Sequence, residues 1–138
     1  MKFPYFKLPS KDTSKKFFEF PWIPVVITVR DKKKAFLMLV DSGADNCILD
    51  RDLAEFLGIN LPDGALVKTE GLSSSADVYY FENIYINVGG YEVKTRAGFI
   101  NGYLAGGKIS GILGRQGFFE YFKVCIDEKH KEIELKAR

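Results

Sequence analysis

The residues best suited to chemistry lie in one stretch, Leu37-Met38-Leu39-Val40-Asp41-Ser42-Gly43-Ala44-Asp45-Asn46-Cys47-Ile48-Leu49. An apolar strand ends in a carboxylate, turns through a small hydroxyl residue and a glycine, and resumes apolar. Strand propensity and the cost of burying a charge both disfavour an acid there, so packing alone does not account for Asp41. A carboxylate in such a place can attack phosphorus as a nucleophile. It can also share a proton with a second carboxylate and draw a proton from water.

The first chemistry, in the haloacid dehalogenase pattern, requires a second acid two positions on, where this chain has Gly43. It also requires a parallel sheet with alternating helices, whereas this chain reads mostly as hairpins. A separate phosphate-binding candidate, Gly102-Tyr103-Leu104-Ala105-Gly106-Gly107-Lys108-Ile109, keeps the loop spacing but has Ile109 where a magnesium-ligating Ser or Thr is needed. The loop should also open a helix, and Ile109-Ser110-Gly111-Ile112-Leu113-Gly114 looks extended. Nucleotide binding is rejected on both grounds.

Asp41-Ser42-Gly43-Ala44-Asp45 between two hydrophobic strands resembles the active-site loop of the retropepsin-like aspartic peptidases. Those families also carry a hydrophobic-hydrophobic-Gly segment before a short C-terminal helix, matched here by Ile112-Leu113-Gly114-Arg115 and then Gln116-Gly117-Phe118-Phe119-Glu120-Tyr121-Phe122. Each half alone is an ordinary turn or strand end. Together, in this order and about one small domain apart, they are specific, and the resemblance covers roughly residues 23 to 136.

The resemblance implies Asp41 as the catalytic acid, Ser42 as a hydroxyl that hydrogen-bonds across two loops, and Gly43 and Ala44 as small residues that leave room for substrate backbone. It implies an ion pair of Asp45 with Arg115 that supports the loop. Two solvated charges would contribute little, whereas breaking a partly buried pair costs about 3 to 5 kcal/mol. It makes Gly71, Leu72, Ser73, Ser74 and Ser75 the flap over substrate; on composition alone these are a polar hairpin tip. Because Asp45 is only four residues on and no second Asp-Ser/Thr-Gly occurs, the second carboxylate must be Asp41 of another copy.

Several elements must position that loop. Ile23 to Arg30 reads as a β-branched strand, which the turn Asp31-Lys32-Lys33-Lys34 joins to the strand Ala35 to Val40. Asp50 is a plausible N-cap for a helix with Leu53, Phe56 and Leu57 on one face and Gly58 at its stop. Strand patterns return from Val67 to Val88, Gly89-Gly90 makes a tight hairpin to Tyr91–Ala97, and residues 101 to 107 form a glycine-rich loop. Lys123–Asp127 and Glu132–Lys136 alternate around Glu128-Lys129-His130-Lys131, a final hairpin with His130 in its solvated turn. Residues 1–20, with Phe3, Tyr5, Phe6, Phe17, Phe18 and Phe20 among lysines and prolines, read as an N-terminal arm on the surface of a domain spanning 21–138. Part of the arm should be covered, since six exposed aromatics would be a liability.

At 138 residues the chain fits one domain, and with 46% hydrophobic residues it can bury a core. A net charge of +2 argues against nucleic acid or an anionic membrane as the main partner. No stretch approaches the ~20 apolar residues of a membrane span, and the N-terminus lacks a secretory h-region, which together predict a cytoplasmic protein. Cys47 and Cys125 lie in apolar strand patterns and read as buried free thiols. Two cysteines and one histidine make metal chemistry a poor fit, and no cofactor is implied.

The sequence thus predicts a mostly β, retropepsin-like domain of hairpins, closed and partly barrel-like, with one or two short helices. It predicts a homodimeric aspartic endopeptidase acting on polypeptide. The rival is a peptide-binding or assembly module that keeps the fold without the activity.

Overall fold

Alternation of apolar and polar residues, with β-branched side chains on the buried face, dictates most of the architecture. In the computed structural model, which describes residues 1–11, 14, 16–70 and 75–138, the chain is mostly β. The strands are β1 (Lys2–Pro4), β2 (Phe6–Pro9), β3 (Phe17–Phe20), β4 (Trp22–Val29), β5 (Lys32–Val40) and β6 (Ile48–Leu49), followed by helix α1 (Arg51–Leu57). Then come β7 (Ala65–Glu70), β8 (Ser75–Val88), β9 (Tyr91–Phe99), β10 (Gly111–Leu113), β11 (Phe122–Asp127) and β12 (Glu132–Ala137).

Six strands close a barrel in the order β4-β5-β10-β6-β9-β8, and β8 returns to β4 by pairing Tyr85–Asn87 with Val26–Thr28. Closure removes the exposed edges that an open sheet would present. β7 hangs on the outside of β8, so β7 and the first part of β8 form a hairpin projecting from the barrel. Ile23, Val25 and Ile27 of β4 are essentially inaccessible, as period-two burial requires, and meet Met38, Leu49, Ile84, Ile86, Phe99 and Leu113 in the core. α1 begins where the side chain of buried Asp50 accepts from the Leu53 N–H at 3.0 Å and ends at left-handed Gly58, which covers the barrel with Leu53, Ala54 and Leu57.

Several expectations change. The first concerns the lysines: the β4–β5 turn is only Arg30-Asp31, so Lys32, Lys33 and Lys34 are exposed strand residues, and Lys34 lies over the rings of Phe36 and Phe56. Phe56 is accordingly exposed and packs edge-on against Phe36, and Ala54 occupies the buried face where Phe56 was expected. The segment after Gly114 is not a regular helix but a run of hydrogen-bonded turns, because Gly117 adopts φ +97°, fixed by its N–H donating to Glu120 Oε1 at 2.7 Å. Finally, Cys125 is exposed on β11, whereas Cys47 is buried, and both are free thiols.

The N-terminal residues are woven in more closely than a surface arm. β1 pairs antiparallel with β12, which pairs with β11, and Tyr5 is buried in the core. β2 and β3 form a separate hairpin whose Phe6 and Phe20 rings stack on Trp22. The expected turns Gly89-Gly90 and Glu128–Lys131 both form, and His130 is exposed there, 2.8 Å from Asp127. Among the described residues no helix is long and apolar enough to cross a membrane.

Candidate active site

Asp41 follows β5, and its position is set by β10, which runs parallel to β5 with Leu113 opposite Val40. The Leu113 carbonyl accepts from the Asp41 N–H at 3.1 Å. The backbone then folds back at once: the Ala44 N–H donates to the Asp41 carbonyl at 3.2 Å, and the Gly43 N–H donates to Asp41 Oδ1 at 2.9 Å. This second bond orients the carboxylate within its own loop. A Cβ at Gly43 would lie 3.2 Å from that oxygen, closer than most side chains tolerate. Asp41 is half-buried, while Ser42 and Gly43 are exposed.

The loop is tied to the segment after β10 by backbone bonds. Arg115 N–H donates to Ala44 O and Gln116 N–H to Asp45 O, both at 2.8 Å. Beneath them the buried Cys47 sulfur accepts from the Gly114 N–H at 3.5 Å and lies 3.6 Å from the Gln116 carbonyl. Burial pushes the Cys47 thiol up to about 11, so it stays protonated and acts as a packing group with a weak S–H donor. Gly114 admits no side chain, since an added Cβ would fall on the Asn46 carbonyl and 2.8 Å from Ala44 O. The glycine of Ile112-Leu113-Gly114 is therefore what lets the two segments meet.

Asp45 and Arg115 do form an ion pair, at 3.1 Å, with both side chains mostly in solvent. Of the flap candidates, Gly71, Leu72, Ser73 and Ser74 lie outside the described residues. Ser75 opens β8 opposite Glu70. The base of that hairpin does reach the loop: a cavity of about 320 Å³ is lined by Ala44, Asp45, Asn46 and Ile48 on one side and by Ala76, Val78, Tyr80 and Ile100 on the other. Tyr80 is braced there by Arg96, whose guanidinium lies 4.1 Å from the ring centroid and pairs with Glu82 at 3.2 Å.

Val78, Tyr80 and Ile100 were not singled out from the sequence as site residues. Their signal was the alternation Val78-Tyr79-Tyr80, which read only as strand. The glycine-rich segment 102–109 passes through a short 3-10 turn, Ala105–Gly107, and leads into β10 without opening a helix. Among the described residues no three His, Cys, Asp or Glu side chains gather as metal ligands.

A family model described as aspartyl protease matches residues 25–116, more than half of the chain, from β4 through the bridge of Asn46 to Gln116. The chain belongs to the aspartyl protease family. The match takes in the Asp41 loop, the β7–β8 hairpin and the Gly114 segment of this family member. Its structure is similar to that of a retropepsin-like aspartic protease from Rickettsia conorii, with a TM-score of 0.62 and 20% sequence identity over 98% of this chain and 89% of that one. That likeness shows the fold: the barrel of this family member is retropepsin-like. No curated protein matches the chain.

Proposed function

We propose that this member of the aspartyl protease family is a homodimeric endopeptidase that hydrolyses peptide bonds with a water held between the Asp41 carboxylates of two copies. The observation that carries the reading is the placement of one half-buried Asp41, oriented by the Gly43 N–H at 2.9 Å, at the mouth of a barrel whose projecting hairpin reaches the same loop. Two carboxylates brought close share a single proton between the two steps of their titration, which Coulomb repulsion drives apart. The ionised member takes a proton from water as the water oxygen bonds to the scissile carbonyl carbon, and the neutral member gives its proton to the carbonyl oxygen. Collapse of the diol breaks the C–N bond. The amine leaves with the proton taken from water, and a diol hydroxyl restores the shared proton.

An extended peptide would lie between the Asp41 loop and the β7–β8 hairpin as an added strand, with main-chain hydrogen bonds supplying affinity. The cavity edged by Ile48, Val78 and Ile100 would take an apolar side chain beside the scissile bond. Ser42 would link the two loops through its hydroxyl.

The test is incubation of the wild type and Asp41→Asn with a diverse peptide library from acidic to neutral pH, with products read by mass spectrometry. The amide is isosteric and keeps an acceptor for the Gly43 N–H, so the variant stays folded and loses cleavage. Undiminished cleavage by the pure variant would remove Asp41 from the chemistry.

A further inference from the structure

A cavity of the barrel lies remote from Asp41, at the opposite end of the β4–β5 hairpin. The intervening strand, Lys32 to Val40, is ~26 Å long at about 3.3 Å per residue. The cavity, about 400 Å³, exists because β4 and β8 pair only over Val26–Thr28 and Tyr85–Asn87, and a bulge between Phe81 and Ile84 then carries β8 away. Leu57, Ile59, Phe81 and Ile84 supply its apolar wall. A mostly apolar recess of this size with a few polar groups at its mouth matches the usual form of a small-molecule site.

The mouth carries a charge held there at a conformational cost. Arg30 lines it from a two-residue turn, between paired Val29 and Lys32, in which its φ is +55°. Glycine is the residue such a turn prefers, and a β-carbon there is strained. Arg30 makes no ion pair among the described residues, while Glu82 on the same mouth is neutralised by Arg96 at 3.2 Å. Asp63 is the remaining acid of the mouth. The Lys32 ammonium lies against Gly58, another lining residue. Arg30 is thus the one cation among the residues that line the apolar recess.

The geometry points to a second binding site here, for a small amphipathic anion: an apolar body inserted between Leu57 and Phe81 and one carboxylate set on the Arg30 guanidinium. The site stands apart from peptide hydrolysis and does not depend on it.

The experiment is calorimetric titration of the full chain with decanoate, and with decyltrimethylammonium as the same tail carrying the opposite charge, both below micelle formation. Wild type binds one decanoate per chain and does not bind the cation. Arg30→Gly suits the positive φ and so keeps or raises the melting temperature of the free protein, yet decanoate binds about tenfold more weakly, as expected for the loss of one charge-assisted hydrogen bond. Asn60→Trp, which fills the mouth, also abolishes binding, and Asp41→Asn leaves it unchanged. Equal affinity for the cation, unaltered decanoate binding in Arg30→Gly, or no saturable binding to wild type would each overturn the assignment.

Discussion

The Asp45 carboxylate meets the Arg115 guanidinium at 3.1 Å, and the two side chains are 75% and 63% exposed. A pair this wet is screened by water and contributes ~1 kcal/mol or less to the fold of one chain. What joins the loop to the segment after β10 is backbone, the Arg115 N–H to Ala44 O bond, and that survives replacement of the side chain.

Arg115→Ala should therefore lower stability no more than Lys136→Ala, which breaks a similarly exposed contact to Glu134 at 3.7 Å. Urea unfolding of the two variants checks this, with losses of ~1 kcal/mol or less expected for both. A loss of ~3 to 5 kcal/mol confined to Arg115→Ala would mean that the pair is desolvated in solution.

Gly114 is the less forgiving position. An alanine Cβ there would strike the Asn46 carbonyl, so the loop bearing Asp41 would have to shift, at a cost of about 1 to 3 kcal/mol typical of overpacking. Gly102→Ala is the control, since nothing lies within 4 Å of its Cβ. Thermal melts and peptidase assays should show loss of both stability and activity for Gly114→Ala and near-neutrality for Gly102→Ala. Equal behaviour would contradict the close approach.

The two thiols separate by environment. Cys125 should be alkylated in the native protein at neutral pH, and Cys47 only after unfolding, giving one adduct and then two by mass spectrometry. Cys47 also predicts a pH dependence. Its thiol is raised from 9.0 to about 11 by burial, so below pH 9 it is protonated in both folded and unfolded chains and its contribution is fully present. Between those values the unfolded chain releases the proton and the folded chain keeps it, so stability falls as pH rises, by roughly 3 kcal/mol at most. Cys47→Ala should lose that part of the alkaline slope. An identical slope would show that Cys47 is not the group responsible.

Much of this molecule was legible because local chemistry and tertiary demand agreed. Ile23–Ile27 and Met38–Val40 alternate as a barrel interior requires, Asp50 and Gly58 cap α1 as their residue types suggest, and Asp41 stood out because packing alone does not favour it. The errors came where distant contacts decide. Phe56 has helical periodicity toward the core but finds Phe36 and Lys34 on the surface. The apolar pattern of β11 suggested a buried Cys125, yet only one face of that strand is covered. Phe118–Phe122 reads as helix, but Gly117 and the loop it must meet hold it as turns. The cavity residues Val78, Tyr80 and Ile100 are brought to the Ala44–Asn46 end of the Asp41 loop by strand pairing across the barrel, which no short-range pattern encodes.

Mixing wild-type and variant chains separates a site built from two copies of Asp41 from one complete within a single chain. A fixed concentration of wild type is combined with increasing Asp41→Asn chains, allowed to exchange, and assayed for cleavage of one peptide. If each site needs two Asp41 carboxylates, mixed dimers hold one acid and one amide and cannot share the proton. Activity then falls as the variant draws wild-type chains into them, as mass action requires. Activity that stays constant across the titration, in proportion to wild type alone, would mean that a single chain carries a complete site.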